Sequence, residues 1–401
     1  MRKISKVISM NYFCRFTFLL LIICNTHLYS QTSCEVHTDI QYSELNILPA
    51  IQYAPVQLDF AGNNFTPTAR IVKATDNNCP FSPLLILVHG GGFTSGDALL
   101  MDSLSFKFAK LGYVCAAINY RLGWPGVNCP TDSAEAIRAW FRSMQDINSA
   151  LSFFKSNFNE YQIDTNNIFL TGWSAGGYAA IGAAYTDLSN EIPSSCFDLG
   201  PINAVTSFPS IKAVATFSAA FLFPQHINNG NKPGIIMFNN SADAYQIPLE
   251  CGKWWNYGNC ENSFPQACGI TSVLPILEQN NISSGHIIYN YQTNNAFNSH
   301  WLHNPAYFPF WEEETDSMAA FFQQFITSDF TVGLDKVLPA KNNCISISSF
   351  SEYTLPDKMD GKLFSINGNF IANVYQGFIK GLSPGIYFLK SIKTSIKIIV
   401  N

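Results

Sequence analysis

Charge is scarce in this chain. Only 13% of its 401 residues are Asp, Glu, Lys or Arg. That is about half the usual share of ~25%. With 47% hydrophobic residues, the scarcity excludes disorder over most of the length. Basic runs are missing too, and the formal charge is −5, which excludes nucleic acid as the main partner. The apolar run Phe16–Cys24 is too short for the ~20 residues of a comfortable membrane span. No other segment reads as spanning, so no transmembrane segment is expected in the mature chain. Cys251, Cys260 and Cys268 lack the spacing of a zinc site. No metal is expected, and no cofactor.

The length corresponds to two or three units at ~150 residues each, and the 33 Phe and 17 Tyr favour packed sheets. Arg2, Lys3, Lys6 and Arg15 precede the apolar run, and Ser30 follows it. A charged region, a short apolar region and a small residue at the cut describe a secretory signal peptide over residues 1–30. Four positive charges go with it, moving the formal charge from −5 to −9. Cys14 and Cys24 go too, taking the cysteines from 11 to nine. So many cysteines fit an oxidising compartment. An odd number leaves at least one thiol unpaired, and Cys115, inside the apolar stretch Tyr113–Ile118, is the expected one. At least one local bridge is expected among Cys251, Cys260 and Cys268.

The end of the chain has a different character. Leu363–Ile366, Phe370–Val374, Gly385–Lys390 and Ser395–Val400 read as short strands, with Asn367-Gly368 as a turn. From Pro356 onward there are six Lys and two Asp, so this end is basic while the body is acidic. The segments Lys362–Ile371, Leu382–Lys390 and Lys397–Val400 resemble the C-terminal sorting domain of the type IX secretion system of Bacteroidetes. The resemblance implies the type IX secretion machinery as a partner, and a secreted or cell-surface location. The Pro-Asn-Pro sequence that usually opens such a domain is missing. The expected division is a signal peptide over 1–30, a catalytic domain over 31–330, a linker over 331–344 and a β-rich sorting domain over 345–401.

The middle carries the chemistry. Leu84–Val88 is an apolar run that flows into His89-Gly-Gly-Gly92. A buried parallel strand has this appearance, and the glycines permit a turn that side chains would forbid. Tyr113–Asn119 is a second strand. Ile137–Phe154 has helical spacing. Asn167–Thr171 is a third strand, running into Gly172-Trp-Ser-Ala-Gly176 and a small-residue helix over 177–185. Strands follow at Val214–Phe217, Gly234–Phe238 and His286–Gln292, then a helix at Thr315–Ile326 with acidic residues near its N-terminus. Strands alternating with helices predict an α/β fold with a mostly parallel twisted sheet and flanking helices.

A G-x-S-x-G sequence between a strand and a helix is the pattern of a nucleophile elbow. With His89-Gly-Gly-Gly-Phe93 upstream, it resembles the α/β-hydrolase superfamily, and within it the carboxylesterases that carry H-G-G-G-F and G-x-S-A-G-G, including feruloyl and acetyl-xylan esterase-like members. Asn119–Gly123 and Ile163–Ile168 also look like that group. The resemblance covers about residues 55–328. It implies a serine carboxylesterase acting on polysaccharide or small-molecule esters. A serine hydroxyl needs a base within reach and a carboxylate to orient that base. By resemblance Ser174 is the nucleophile, Asp243 the acid and His300 the base, in the superfamily's chain order. The N–H groups of Gly91, Gly92 and Ala175 are the implied oxyanion donors. His303 is the rival base, two positions beyond Trp301. His89 and His286 read as structural.

Trp173, Trp254, Trp255, Tyr257 and Trp301 lie near these positions and read first as core or rim packing. Residues 249–285 form a long insert between the acid and the last strand, a possible rim braced by a disulfide. Residues 123–134 are a candidate second rim loop. Two other classes compete with an esterase. For a prolyl-oligopeptidase-like exopeptidase, too few residues precede the His89 turn to build propeller blades of ~40–45 residues each. A non-catalytic adhesion protein on a hydrolase scaffold usually lacks one of the three side chains, and here all three are present.

Overall fold

A computed structural model describes residues 44–75, 77, 80–124, 133–187, 191–199, 211–228, 232–254 and 264–326, and seven strands between 344 and 400. The expected signal peptide, most of the candidate rim loop over 123–134, Trp255, Tyr257 and Cys260 lie outside the described residues.

A nine-stranded mixed sheet organises the body. Its main strands are β1 (Leu45–Ile47), β2 (Thr68–Ala74), β3 (Ser82–Val88), β4 (Val114–Ile118), β5 (Ile163–Trp173), β6 (Ile211–Phe217), β7 (Gly234–Asn240) and β8 (Ser284–Tyr289). Their order across the sheet is β1-β2-β4-β3-β5-β6-β7-β8, with the short strand Ile51–Gln52 paired to β2 off that path. The contacts of β2 with β1 and β4 are antiparallel. From β4 to β8 every pairing is parallel. The helices longer than one turn are α1 (Asp102–Lys110), α2 (Ser133–Ser156), α3 (Ala175–Tyr185), α4 (Ile270–Gln279) and α5 (Trp311–Gln323).

The continuous apolar reading of residues 84–88 has a direct cause. Successive strand side chains alternate between faces, and here both faces are covered. Leu84, Ile86 and Val88 join a core with Trp140, Met144 and Ile147 of α2 and Tyr178 of α3. Leu85 and Leu87 join a second core with Leu104 and Phe108 of α1 and Met318 and Phe322 of α5. Each such side chain is worth ~1.5–3 kcal/mol on burial. A strand in this position therefore carries no polar alternation.

Boundaries shift where tertiary contacts decide them. Helix α5 starts at Trp311, so Glu312, Glu313 and Glu314 form its first turn. β8 stops at Tyr289, and the chain then leaves the sheet. In the C-terminal part, strands 344–347, 395–400, 385–390, 361–365 and 370–374 form a five-stranded sheet in that order. Its first strand begins at Cys344, one residue before the expected boundary. Among the described residues no helix is long and apolar enough to cross a membrane.

The candidate residues gather at one edge of this frame. The glycine turn follows β3, Ser174 follows β5, Asp243 follows β7 and His300 follows β8. The C-terminal ends of parallel strands are where open α/β sheets form their clefts.

Candidate active site

Ser174 sits between β5 and α3 with φ 54° and ψ −125°. A non-glycine residue in that conformation is strained, and the neighbouring glycines explain how it is held. A Cβ on Gly172 would lie 2.3 Å from the Gly176 carbonyl oxygen. One on Gly176 would lie 2.1 Å from the Val88 carbonyl oxygen. The strand-to-helix turn closes only without these side chains. The Ser174 N–H donates to the Phe217 carbonyl at 2.8 Å, which ties the elbow to β6. Ala175 is the first residue of α3, and first-turn N–H groups have no intrahelical acceptor.

Asp243 and His300 meet in the interior. His300 Nδ1 is 2.8 Å from Asp243 Oδ2, and both residues are buried. An ionised carboxylate only accepts hydrogen bonds, so Nδ1 carries the hydrogen, and in the neutral imidazole that leaves the lone pair on Nε2. The other oxygen, Oδ1, accepts the Tyr245 N–H at 2.8 Å. Behind His300, its carbonyl accepts the Trp173 indole N–H at 2.8 Å and the Ser218 hydroxyl at 3.2 Å. Trp173 is the variable residue inside G-x-S-x-G, so the elbow itself anchors the histidine loop.

Asn240, at the end of β7, is a residue that sequence reasoning missed. Its buried amide donates to the carbonyls of Tyr291 and Ser299, each at 2.9 Å. Its oxygen accepts the N–H groups of Tyr291 at 2.9 Å and Ala242 at 3.2 Å. Ser299 then accepts the Ala244 N–H at 3.0 Å. The acid loop and the histidine loop are thus stitched through one side chain. The available signal was a polar residue at the end of an apolar parallel strand, three positions before a candidate acid.

His303 lies elsewhere. Its ring stacks on Trp173 at 4.2 Å and is fully buried. Burial, with a smaller contribution from His300, lowers its pKa from 6.5 to about 3. His89 is also structural: burial lowers its pKa from 6.5 to about 4. Its ring stacks on Tyr120 at 4.4 Å, and the Tyr120 hydroxyl donates to the His89 carbonyl at 2.9 Å. His286 is buried within β8. Two other aspartates of the body, Asp198 and Asp316, pair with Arg138 and Lys107.

A cavity of about 430 Å³ joins these parts, and its lining includes Gly91, Gly92, Trp124, Ser174, His300 and Trp301. Gly91 and Gly92 have φ 112° and 60°, a region that favours glycine. Trp124 donates its indole N–H to the Gly92 carbonyl at 3.0 Å. Among the flagged aromatics, Trp173 and Trp301 border the cavity while Trp254 is wholly buried. In the insert, Cys251 and Cys268 form a disulfide. Cys115 and Cys196 are free and buried. Among the described residues no group of three or more His, Cys, Asp or Glu side chains is arranged to hold a metal.

The sheet order, the strand–serine–helix elbow and the position of the cleft define an α/β-hydrolase fold. Residues 71–234 match the BD-FAE family, a stretch that includes the glycine turn and Ser174 and ends before Asp243 and His300. The chain is 33% identical over 106 residues to the probable carboxylic ester hydrolase LipM of Mycobacterium tuberculosis, covering 26% of this chain and 22% of that protein. It is 32% identical over 96 residues to gut esterase 1 of Caenorhabditis elegans, covering 23% and 16% respectively. The chain therefore spans less than a quarter of the length of either relative. Among solved structures, esterase B of Lactobacillus rhamnosis is 17% identical with a TM-score of 0.48, covering 71% of this chain and 86% of that one. Esterase 2 of Thermogutta terrifontis phosphonylated by sarin is 16% identical with a TM-score of 0.48, covering 73% and 99%.

Proposed function

We propose that this protein is a serine carboxylic-ester hydrolase. The observation that carries the reading is the buried His300–Asp243 pair, whose histidine shares a cavity with Ser174 and the glycine turn. Ser174 Oγ attacks the acyl carbonyl while His300 Nε2 takes its proton. Asp243 holds the imidazole and stabilises its cation. The N–H groups of Gly91, Gly92 and Ala175 receive the oxyanion, a donor of this kind being worth ~3 kcal/mol. His300 returns the proton to the departing alkoxide, and water then releases the acid from Ser174 by the same steps.

The substrate proposed is an acyl ester of acetyl or feruloyl type on a polysaccharide or small alcohol. Apolar and aromatic walls from Trp124, Trp301, Tyr245 and Ile247 support an uncharged acyl group. Export through a signal peptide and the type IX machinery belongs to the same reading. It rests on the sequence, and the Cys251–Cys268 disulfide is in keeping with an oxidising compartment.

Replacing Ser174 by Ala tests the mechanism. Hydrolysis of para-nitrophenyl acetate should fall by ~10⁶-fold, and covalent labelling by a fluorophosphonate should vanish with folding intact. Turnover retained in that variant would remove the proposed nucleophile.

A further inference from the structure

We propose that Trp254 is a positioning residue that holds the two halves of the oxyanion site at their working separation. The inference rests on the ester-hydrolase reading above and goes beyond it to a residue outside the cavity lining. Trp254 comes from the insert between the acid loop and the last strand. It directly follows the first strand of an antiparallel pair, Cys251–Lys253 against Gln266–Cys268, closed by the Cys251–Cys268 disulfide. The strand pair is fixed to the body where Phe221 and Cys268 exchange two backbone hydrogen bonds, of 2.9 and 2.7 Å. Trp254 continues the ladder, donating its N–H to the Pro265 carbonyl at 2.9 Å.

From this braced base the indole goes fully into the core. One face stacks on Phe93 with ring centroids 5.6 Å apart. Phe93 is the residue after the glycine triplet and has φ 59°. A bulky side chain is disfavoured in that left-handed conformation, so packing around the ring must hold the turn. Trp124 meets Trp254 edge-on at 6.4 Å, and Trp124 is the residue bonded to the Gly92 carbonyl. On the other side Trp254 contacts Tyr178 at 5.7 Å, and the Tyr178 hydroxyl donates to the Trp254 carbonyl. Tyr178 lies one turn into α3, its N–H donating to the Ser174 carbonyl at 3.1 Å. Trp254 therefore grips the segment carrying Gly91 and Gly92 and the helix that begins at Ala175.

Truncating this side chain removes no residue of the cavity lining but releases the turn. Misplacement by an ångström at a reacting centre costs ~10²-fold in rate. In the full chain, Trp254→Ala should lower kcat on para-nitrophenyl acetate by ~10–100-fold per serine titrated with a fluorophosphonate, with KM within ~3-fold of wild type. Affinity for a trifluoromethyl ketone, which adds to the serine and presents an oxyanion, should weaken by the same factor. Trp254→Phe should recover most of both. A merely structural role would lower the number of titrated serines and leave the rate per serine and the ketone affinity unchanged, and that result overturns the proposal. If the alanine variant does not fold, Trp254→Leu is measured in the same way, with the same loss expected and the same unchanged values overturning it. Wild-type protein that neither hydrolyses the ester nor takes the fluorophosphonate overturns the ester-hydrolase reading itself, whatever Trp254 does.

Discussion

The elbow around Ser174 and the loops around Asp243 and His300 are built by different physics. In the elbow, sterics act over five consecutive residues. Gly172 and Gly176 approach each other and the Val88 carbonyl so closely that no Cβ fits, and the serine conformation follows from that closure. In the loops, local turns such as the Tyr245 N–H on Asp243 Oδ1 do not by themselves bring the pair together. Asp243 and His300 lie 57 residues apart, and they meet because Asn240, Ser299, Ser218 and Trp173 bond them to fixed strands. Damage to the first region should therefore register as lost folding. Damage to the second should register as lost rate in a folded protein.

Gly176→Ala should give the largest effect. Its Cβ would lie 2.1 Å from the Val88 carbonyl oxygen and 2.4 Å from that of His89. These are buried backbone atoms at the end of the inner strand β3 and in the turn that follows it, and they have little room to yield. A destabilisation above ~4 kcal/mol is expected, a size tied to core overpacking and backbone clash. Urea unfolding of purified protein measures it, or its failure to accumulate in folded form. A variant with native stability and only a reduced rate would erase the contrast between the two regions.

Asn240→Ala should produce an intermediate effect of the other kind. The substitution takes the partner from the Ser299 and Tyr291 carbonyls and from the Tyr291 and Ala242 N–H groups, at ~1–3 kcal/mol for each that stays buried and unpaired. Because the histidine loop loses its tie to the acid loop, kcat should fall by ~10–100-fold. The melting temperature should drop by ~5–15 °C, with the protein still folded at room temperature. Steady-state kinetics beside a thermal melt separate the two quantities. An unchanged rate with lowered stability would make Asn240 a packing residue.

The same division explains what the sequence disclosed. Strand β3, the glycine turn and the elbow were legible because their chemistry is contiguous: an apolar run, then glycines where no Cβ fits. The pairing of Asp243 with His300 was suggested only by family chain order, since a lone aspartate and two neighbouring histidines carry no local mark of such a contact. Asn240 stayed hidden because two consecutive asparagines before a serine read as a turn. β2 stayed hidden for a related reason. Arg70 and Lys73 interrupt its apolar residues, and only the tertiary pair of Arg70 with Asp102, at 2.8 Å, shows that a charged side chain is partnered there. Helix α4 was obscured by Pro275 in its interior, a residue that ordinarily ends a helix.

The smallest effect concerns the second histidine of the loop. His300 and His303 are three positions apart, yet one faces a carboxylate and the other is sealed against Trp173. Burial holds His303 neutral down to about pH 3, whereas the unfolded chain takes up a proton below ~6.5. Its contribution is therefore complete above pH ~6.5 and is lost progressively as the pH falls towards about 3. The loss is ~1.4 kcal/mol for each pH unit. His89, with a pKa lowered to about 4, acts in the same direction. His303→Phe keeps a ring against Trp173 and removes the titration. Between pH 6 and 5 the stability of wild type should fall by ~1.4 kcal/mol more than that of the variant, measured from urea midpoints at each pH. Equal slopes would mean that acid opens this part of the loop without unfolding the body. His303 would then share the solvent access of the cavity, and the contrast between the two histidines would rest on the Asp243 contact alone.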